Sequence, residues 1–247
     1  MATSTTEAMT VRRRPGAFAA FMACLFLLIS LSAPLATSAR ADDYSDGAHP
    51  DRWITFHEIT KACSGECGFQ IYAGRFVDDS MKSIFGLKGF TPIWDWTWAD
   101  SGIVAAAVSR PIVSLKDYAE IEGELGIAKR FGDATSEEVW GALFFRWKWF
   151  PWNKFVKTSI AVSTGLNYAR KLDQLEVAQA GNHEGSKLLH FLTPEIALSM
   201  PEHPQYELVF RFHHRSGGKH FLLGDTKIFN STAGGAQYAT VGLRYRF

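Results

Sequence analysis

The chain has 247 residues and carries 26 Lys and Arg against 25 Asp and Glu, which gives a net charge of +1 at pH 7. This near balance excludes a strongly basic nucleic-acid-binding protein, because such proteins neutralise many phosphates with an excess of positive side chains. The length suits one domain once an N-terminal leader is set aside.

The N-terminal segment predicts a secretory signal peptide. Three arginines at 12–14 precede an apolar run over about 17–34, and Ala39-Arg40-Ala41 fits an A-x-A cleavage site. We therefore expect a signal peptide over residues 1–41 and an exported chain that begins at Asp42. Removal of four arginines and one glutamate leaves 22 basic and 24 acidic residues, a net charge of −2. An uncleaved anchor is the alternative, but the apolar run is short for a spanning helix.

Residues 42–67 form an expected periplasmic lead-in to the main domain. Cys63 and Cys67 remain after the signal peptide is removed, and an oxidising periplasm favours a local disulfide between them. Metal binding is the lesser alternative, since no cluster of His or Cys lies nearby in the sequence. The stretch from Trp53 to His57 is either a ninth extended piece or part of the lead-in.

From residue 68 to 247, segments of strand length alternate with turn signals, and no segment is long and apolar enough for a transmembrane helix. We predict eight strands, over 68–77, 101–113, 117–130, 137–149, 156–169, 187–199, 205–216 and 236–247. Short connections at 151–153 and 200–205 alternate with longer polar ones such as 171–185. This pattern predicts an all-β fold, an eight-stranded antiparallel outer-membrane β-barrel with periplasmic turns and extracellular loops.

The last strand sets the direction of its side chains. Apolar residues at odd positions from Ala239 to Phe247 alternate with polar ones, as in a closing barrel strand with lipid outside and a polar lumen. We expect the barrel assembly machinery to recognise the strand that ends at Phe247. Eight strands leave a lumen filled by side chains, which argues against a porin. The same parity predicts a lumenal ion-pair network formed by Glu120, Glu122, Glu124, Arg211, Arg244 and Arg246.

The seventh strand ends in Phe210-Arg-Phe-His-His-Arg-Ser-Gly-Gly218. His214 and Ser216 are two positions apart, so they project from the same face, and the parity makes that face the lipid-facing one. A nucleophilic hydroxyl needs a base within hydrogen-bond reach, which this spacing supplies. A polar pair facing lipid is costly and therefore indicates a functional site. The alternative is a pair at headgroup level that only marks the end of the strand.

An eight-stranded barrel with His214-x-Ser216 at the outer end of strand seven resembles the outer-membrane lipid A 3-O-deacylase family (PagL). The likeness is carried by residues 206–247, by the strand count and by the signal peptide. It implies an esterase that removes the acyl chain esterified at position 3 of lipid A, within lipopolysaccharide of the outer leaflet, without metal or cofactor. It also implies Ser216 as nucleophile and His214 as general base.

Two positions depart from the family pattern. Gly217 follows the serine where the family commonly has Asn, and we expect the N–H groups of Gly217 and Gly218 to hold the oxyanion. Gln237 lies where the family has its acid, at the start of the last strand. A Gln carbonyl can accept the His214 N–H and hold its tautomer, but it lacks the charge that stabilises imidazolium. Asp225 is a substitute acid only if its loop folds back.

The residues beside the pair complete the expected site. We expect Arg215 and Lys219, with His220 and Lys227, to contact the lipid A phosphates. An ordinary solvated loop is the alternative for these basic side chains. Two other functions stay open for the whole chain: a structural or lipid-binding barrel of the same fold without catalysis, which Gln237 favours, and an acyltransferase barrel with an acceptor that the sequence does not identify.

Overall fold

The computed structural model describes residues 53–85, 91–180, 184–217 and 227–247, and almost all of its regular structure is strand. The predicted signal peptide lies outside the described residues. The strands are β1 (Thr55–Phe56), β2 (Gly68–Val77), β3 (Trp98–Leu115), β4 (Ala119–Gly132), β5 (Glu137–Trp147), β6 (Lys157–Ala169), β7 (Leu188–Phe191), β8 (Pro194–Met200), β9 (His203–Ser216) and β10 (Gly235–Arg246). Two short helices, α1 (Met81–Ile84) and α2 (Gln174–Gln179), lie in connections.

The strands pair antiparallel in a sheet that closes on itself. The order runs β3, β2, β10, β9, then β7 and β8, then β6, β5 and β4, and β4 pairs with β3 again. Closure depends on the C-terminal strand, which pairs with β2 from Tyr238 opposite Phe76 to Arg246 opposite Gly68. We call this closed sheet the ring.

The predicted count of eight strands is confirmed. Both β7 and β8 lie between β6 and β9, so they are two parts of one ring strand, which is interrupted at Leu192 and Thr193. The other predicted bounds agree with the structure to within three residues. β1 is a ninth extended piece, because it pairs outside the ring with Val113 and Ser114 of β3.

The two ends of the ring differ in their connections. At the turn end, residues 116–118, 148–156 and 201–202 join neighbouring strands. At the loop end lie the strand ends that residues 78–97, 133–136, 170–187 and 217–234 connect along the chain. β9 runs from the turn end to the loop end, so His214 and Ser216 lie at the loop end, as the sequence predicts.

The interior of the ring holds buried charged side chains together with a cluster of buried aromatic ones, and the exterior is apolar. Inward positions of β4 alternate with outward ones, so that Glu122 is fully buried while Leu125 and Ile127 are more than 60% exposed. Apolar side chains that are more than one third exposed occur on every ring strand: Ile71, Val104, Leu125, Val139, Leu143, Val162, Leu166, Ile196, Phe210 and Leu243.

The turn-end half of the interior holds a network of arginines and glutamates. Arg211 contacts Glu124 at 2.7 Å and Glu195 at 2.5 Å, and Arg246 contacts Glu122 at 2.6 Å. The predicted lumenal pairing is therefore confirmed for these groups. Arg244 pairs with Glu195 and Glu207 instead of the β4 glutamates.

Two buried arginines of the interior, Arg130 and Arg146, were missed in the sequence. Arg146 of β5 contacts Glu122 and Glu195, both at 2.8 Å. The signal was present, because Arg146 has the same parity along β5 as the buried Trp140 and Phe144.

The predicted Cys63–Cys67 disulfide is present, with the two Cα atoms 5.7 Å apart. Both thiols are consumed by the bond, so this pair offers no metal ligands. Because only a very short loop is closed, we expect the double variant Cys63→Ser/Cys67→Ser to lose about 2 kcal/mol at most. Denaturant titration of the detergent-solubilised protein measures this loss. A collapse of the ring in the variant would contradict the peripheral role given to the disulfide.

Candidate active site

The two predicted catalytic side chains lie on the outward face of β9, at the loop end of the ring. Pairing with β10 places Gln237 directly opposite His214 and Gly235 opposite Ser216. The three polar side chains therefore share one face because residues 214 and 216 have the same parity and 237 is in register with 214.

A continuous hydrogen-bonded chain joins these side chains. His214 Nε2 lies 3.0 Å from Ser216 Oγ, and His214 Nδ1 lies 3.1 Å from Gln237 Oε1. Both distances are within hydrogen-bond range. The sequence predicted the His–Ser pair and the position of Gln237, and the structure brings all three together.

These three hydrogen-bonded side chains are buried, although they face away from the interior of the ring. The exposed fraction is 8% for His214, 9% for Ser216 and 2% for Gln237. Part of the cover comes from the β2–β3 connection, which contacts Phe212 of β9 and Gln237 of β10. Its α1 residue Ile84 packs with Phe212, and the rings of Phe85 and Trp96 meet the Phe212 ring edge-on at 5.3 and 5.9 Å.

The same connection makes one polar contact with the site. The Gln237 side-chain amide donates from Nε2 to the main-chain carbonyl of Asp79. Gln237 thus uses its oxygen toward His214 and its nitrogen toward the β2–β3 connection. This contact was missed in the sequence, where residues 158 positions apart carry no pairing signal.

An irregularity in the neighbouring strand lies beside His214. The Leu192 N–H donates to the His214 carbonyl at 3.1 Å, and the following residue, Thr193, is fully buried. Thr193 turns back to β6, where its N–H donates to Ser163 Oγ at 2.8 Å. The pairing register is unchanged across this break, because Phe191 lies opposite Arg215 and Glu195 opposite Arg211, so no residue is inserted there.

A second histidine borders the site. His190 of β7 lies opposite Ser216 in register, and its Nε2 is 2.9 Å from Thr164 Oγ1. His190 was missed in the sequence analysis. Its parity was a usable signal, because the buried Leu189 and Phe191 flank a half-buried His190 on the outward face.

The prediction that Arg215 contacts lipid A phosphates is wrong. Arg215 is fully buried inside the ring, where it contacts Glu176 of α2 at 3.0 Å and donates to the Lys187 carbonyl at 2.6 Å. The reason is strand alternation: a residue between His214 and Ser216 must point to the opposite face.

Of the two predicted oxyanion donors, Gly217 and Gly218, the structure describes only Gly217. The Gly217 N–H donates to the Gly234 carbonyl at 3.1 Å, so it is engaged in the β9–β10 ladder and does not point to Ser216 as a free donor. This corrects the role predicted for Gly217. Gly218, Lys219, His220 and Asp225 lie outside the described residues, and Lys227 is exposed in a short 3₁₀ turn.

The comparisons with known proteins give a likeness among solved structures alone. No protein-family model matches the chain, and no curated protein matches it. Among solved structures, Neisserial surface protein A is similar over 76% of this chain and 100% of its own, with 11% identity and a TM-score of 0.43. Within the described part of the chain, no helix has the length and hydropathy needed to span a membrane.

Proposed function

We propose that this protein is an outer-membrane esterase that removes the 3-O-linked acyl chain of lipid A. The single observation that carries the proposal is the chain Ser216 Oγ, His214 Nε2, His214 Nδ1, Gln237 Oε1 on the outward face of the ring. A nucleophile, a base and an orienting group in this order are the parts that serine hydrolases share.

The architecture supports a bilayer environment for this site. A closed ring pairs every strand with neighbours on both sides, which is what a backbone in lipid requires. Each ring strand exposes apolar side chains, while the buried charged groups face inward. The ion pairs that fill the lumen have a structural role. The proposed reaction therefore takes place on the outer face of the ring.

The residues support a two-step acyl transfer to water. His214 Nε2 takes the hydroxyl proton as Ser216 Oγ attacks the ester carbonyl carbon, and the tetrahedral intermediate collapses by breaking the bond to the sugar oxygen. His214 returns the proton to that oxygen, which leaves as a free 3-hydroxyl. Water then hydrolyses the Ser216 ester with His214 again as base, and the fatty acid is released.

The place of the site fits a substrate that enters sideways. His214 and Ser216 lie at the loop end, on the side of the ring that would face the acyl chains and headgroups of the outer leaflet. An ester bond of lipid A lies at that depth, between its sugar and its acyl chains. The products, a fatty acid and a lipid A with one chain fewer, both stay in the membrane.

Mass spectrometry of lipid A tests this function in a Gram-negative host. We expect cells that express the wild type or the control Ser199→Ala, altered at the turn end, to lose one hydroxyacyl chain from lipid A. Cells that express Ser216→Ala should keep it, because the nucleophile is gone. Unchanged lipid A with the wild type, at confirmed outer-membrane levels, would favour the structural or lipid-binding barrel.

A further inference from the structure

The two ends of the Gln237 amide have different partners. Its Oε1 faces His214 Nδ1 at 3.1 Å, and its Nε2 donates to the main-chain carbonyl of Asp79. A carbonyl oxygen can only accept a hydrogen bond, so only the NH₂ end of the amide can face Asp79. The carbonyl therefore fixes which end of Gln237 faces the histidine.

The orientation of the amide in turn fixes the tautomer of His214. Because Gln237 Oε1 is an acceptor, His214 Nδ1 must carry the proton that it accepts. His214 Nε2 is then left with a lone pair directed at the Ser216 hydroxyl at 3.0 Å. A reversed amide would present its NH₂ group to Nδ1, move the imidazole proton to Nε2, and remove the base. In a serine triad, the wrong tautomer costs about 10⁴ in rate.

We infer that the main-chain carbonyl of Asp79 is a positioning group of the active site, and that it lets an amide take the place of the usual acid. The expected effect on the deacylation rate rests on the proposed function, but the effect on the His214 tautomer is independent of any reaction. The β2–β3 connection is thus part of the catalytic arrangement as well as a cover over it.

The Asp79 carbonyl is held in place from both sides. The Asp79 carboxylate accepts the Thr97 N–H at 2.5 Å, which closes the neck of the β2–β3 connection. The next residue, Ser80, caps α1 by accepting the Ser83 N–H at 3.1 Å. A carbonyl between two such anchors has little freedom to turn away, so it can select an amide orientation.

The arrangement makes glutamine a better residue than glutamate at position 237. A carboxylate there would still accept the His214 N–H, but its second oxygen would face the Asp79 carbonyl oxygen with no proton between them. Two buried acceptors in contact are unfavourable, because each loses its hydrogen bond to water without a replacement. We expect Gln237→Glu to lower the deacylation rate at neutral pH about tenfold or more, although an acid is the usual triad member.

A double-mutant cycle separates this coupling from a general effect. Asp79→Ala removes the carboxylate that anchors the carbonyl, so we expect it to slow the wild-type background. In the Gln237→Glu background, Asp79→Ala should restore part of the lost rate. The main-chain carbonyl at position 79 can then turn away from the carboxylate introduced at position 237. Gln174→Glu, on the exposed first residue of α2, is the control for an added charge. Additive effects of Asp79→Ala and Gln237→Glu, or a faster Gln237→Glu enzyme, would overturn the inference.

A spectroscopic readout distinguishes a failure of this inference from a failure of the proposed function. Nitrogen-15 NMR of histidine-labelled protein in detergent micelles reports which ring nitrogen carries the proton, and His214→Gln identifies the resonance. We expect the Nδ1–H tautomer in the wild type and a population of Nε2–H in Gln237→Leu. An Nε2–H tautomer in the wild type would overturn the inference whether or not lipid A is cleaved. The expected tautomer in a protein that leaves lipid A intact would overturn only the esterase.

Discussion

Replacing His214 by glutamine should lower the rate of lipid A deacylation about 10⁴-fold while the ring stays folded. His214 is the only side chain hydrogen-bonded to Ser216 Oγ among the described residues, so its loss leaves the hydroxyl without a base. General-base catalysis and the nucleophile act as one unit, and the loss of either removes most of the catalysis.

The measurement is the initial rate of acyl release from lipid A in detergent micelles. His203→Gln is a matched control, because His203 is an exposed histidine at the other end of the same strand. The double variant His214→Gln/Ser216→Ala should be no slower than either single variant, since members of one catalytic unit are not additive. A His214→Gln enzyme within tenfold of the wild type would contradict the assigned role.

Replacing Arg211 by methionine should destabilise the ring by about 3–5 kcal/mol. Arg211 is 2% exposed and contacts Glu124 and Glu195, and its guanidinium lies 4.8 Å from the Phe144 ring centroid. Its removal leaves a buried carboxylate uncompensated, because Glu124 has no other ion-pair partner among the described residues, and its remaining hydrogen bond is from Trp140 Nε1.

Unfolding by denaturant in detergent gives this loss as a shift of the transition midpoint. Lys129→Met is the control, because Lys129 pairs with Glu137 at the surface, where both side chains are about half exposed and a pair is worth 0–1 kcal/mol. Adding Glu124→Gln to Arg211→Met should recover part of the stability by removing the unpaired charge. Equal stability of Arg211→Met and wild type would show that the lumenal pairs do not hold the ring together.

Local rules were enough to predict most of the fold. Alternation along the last strand gave the inward direction of Arg244, and the same parity gave the inward direction of Glu122 and Arg211. These predictions succeed because a strand has a period of two and the ring has only two faces. The break at Leu192 and Thr193 was not predicted, because the pairing register with β6 and β9 is the same on both sides of it and the parity of the strand does not change.

The candidate site was predictable only where its residues are neighbours along or across a strand. His214 and Ser216 follow from spacing, and Gln237 follows from hairpin register. The error at Arg215 came from treating adjacent residues as one patch when alternation sends them to opposite faces. Asp79 and Phe85 approach through a connection that folds over the outer face, and nothing in the local sequence encodes that contact.

The lumenal charges also bear on how the ring is assembled. Arg246 of β10 meets Glu122 of β4 across the interior, and Arg211 of β9 meets Glu124, partners separated by 124 and 87 positions in the chain. Neither of these two contacts exists while the sheet is open, when only ion pairs between neighbouring strands, such as Arg211–Glu195 and Arg244–Glu207, can form. Glu124 would then lack an ion-pair partner among the described residues. The contacts across the interior form only when β10 pairs with β2, so this part of the stabilisation comes with closure. We therefore expect closure to be a single cooperative step, without a stable half-formed ring on the way.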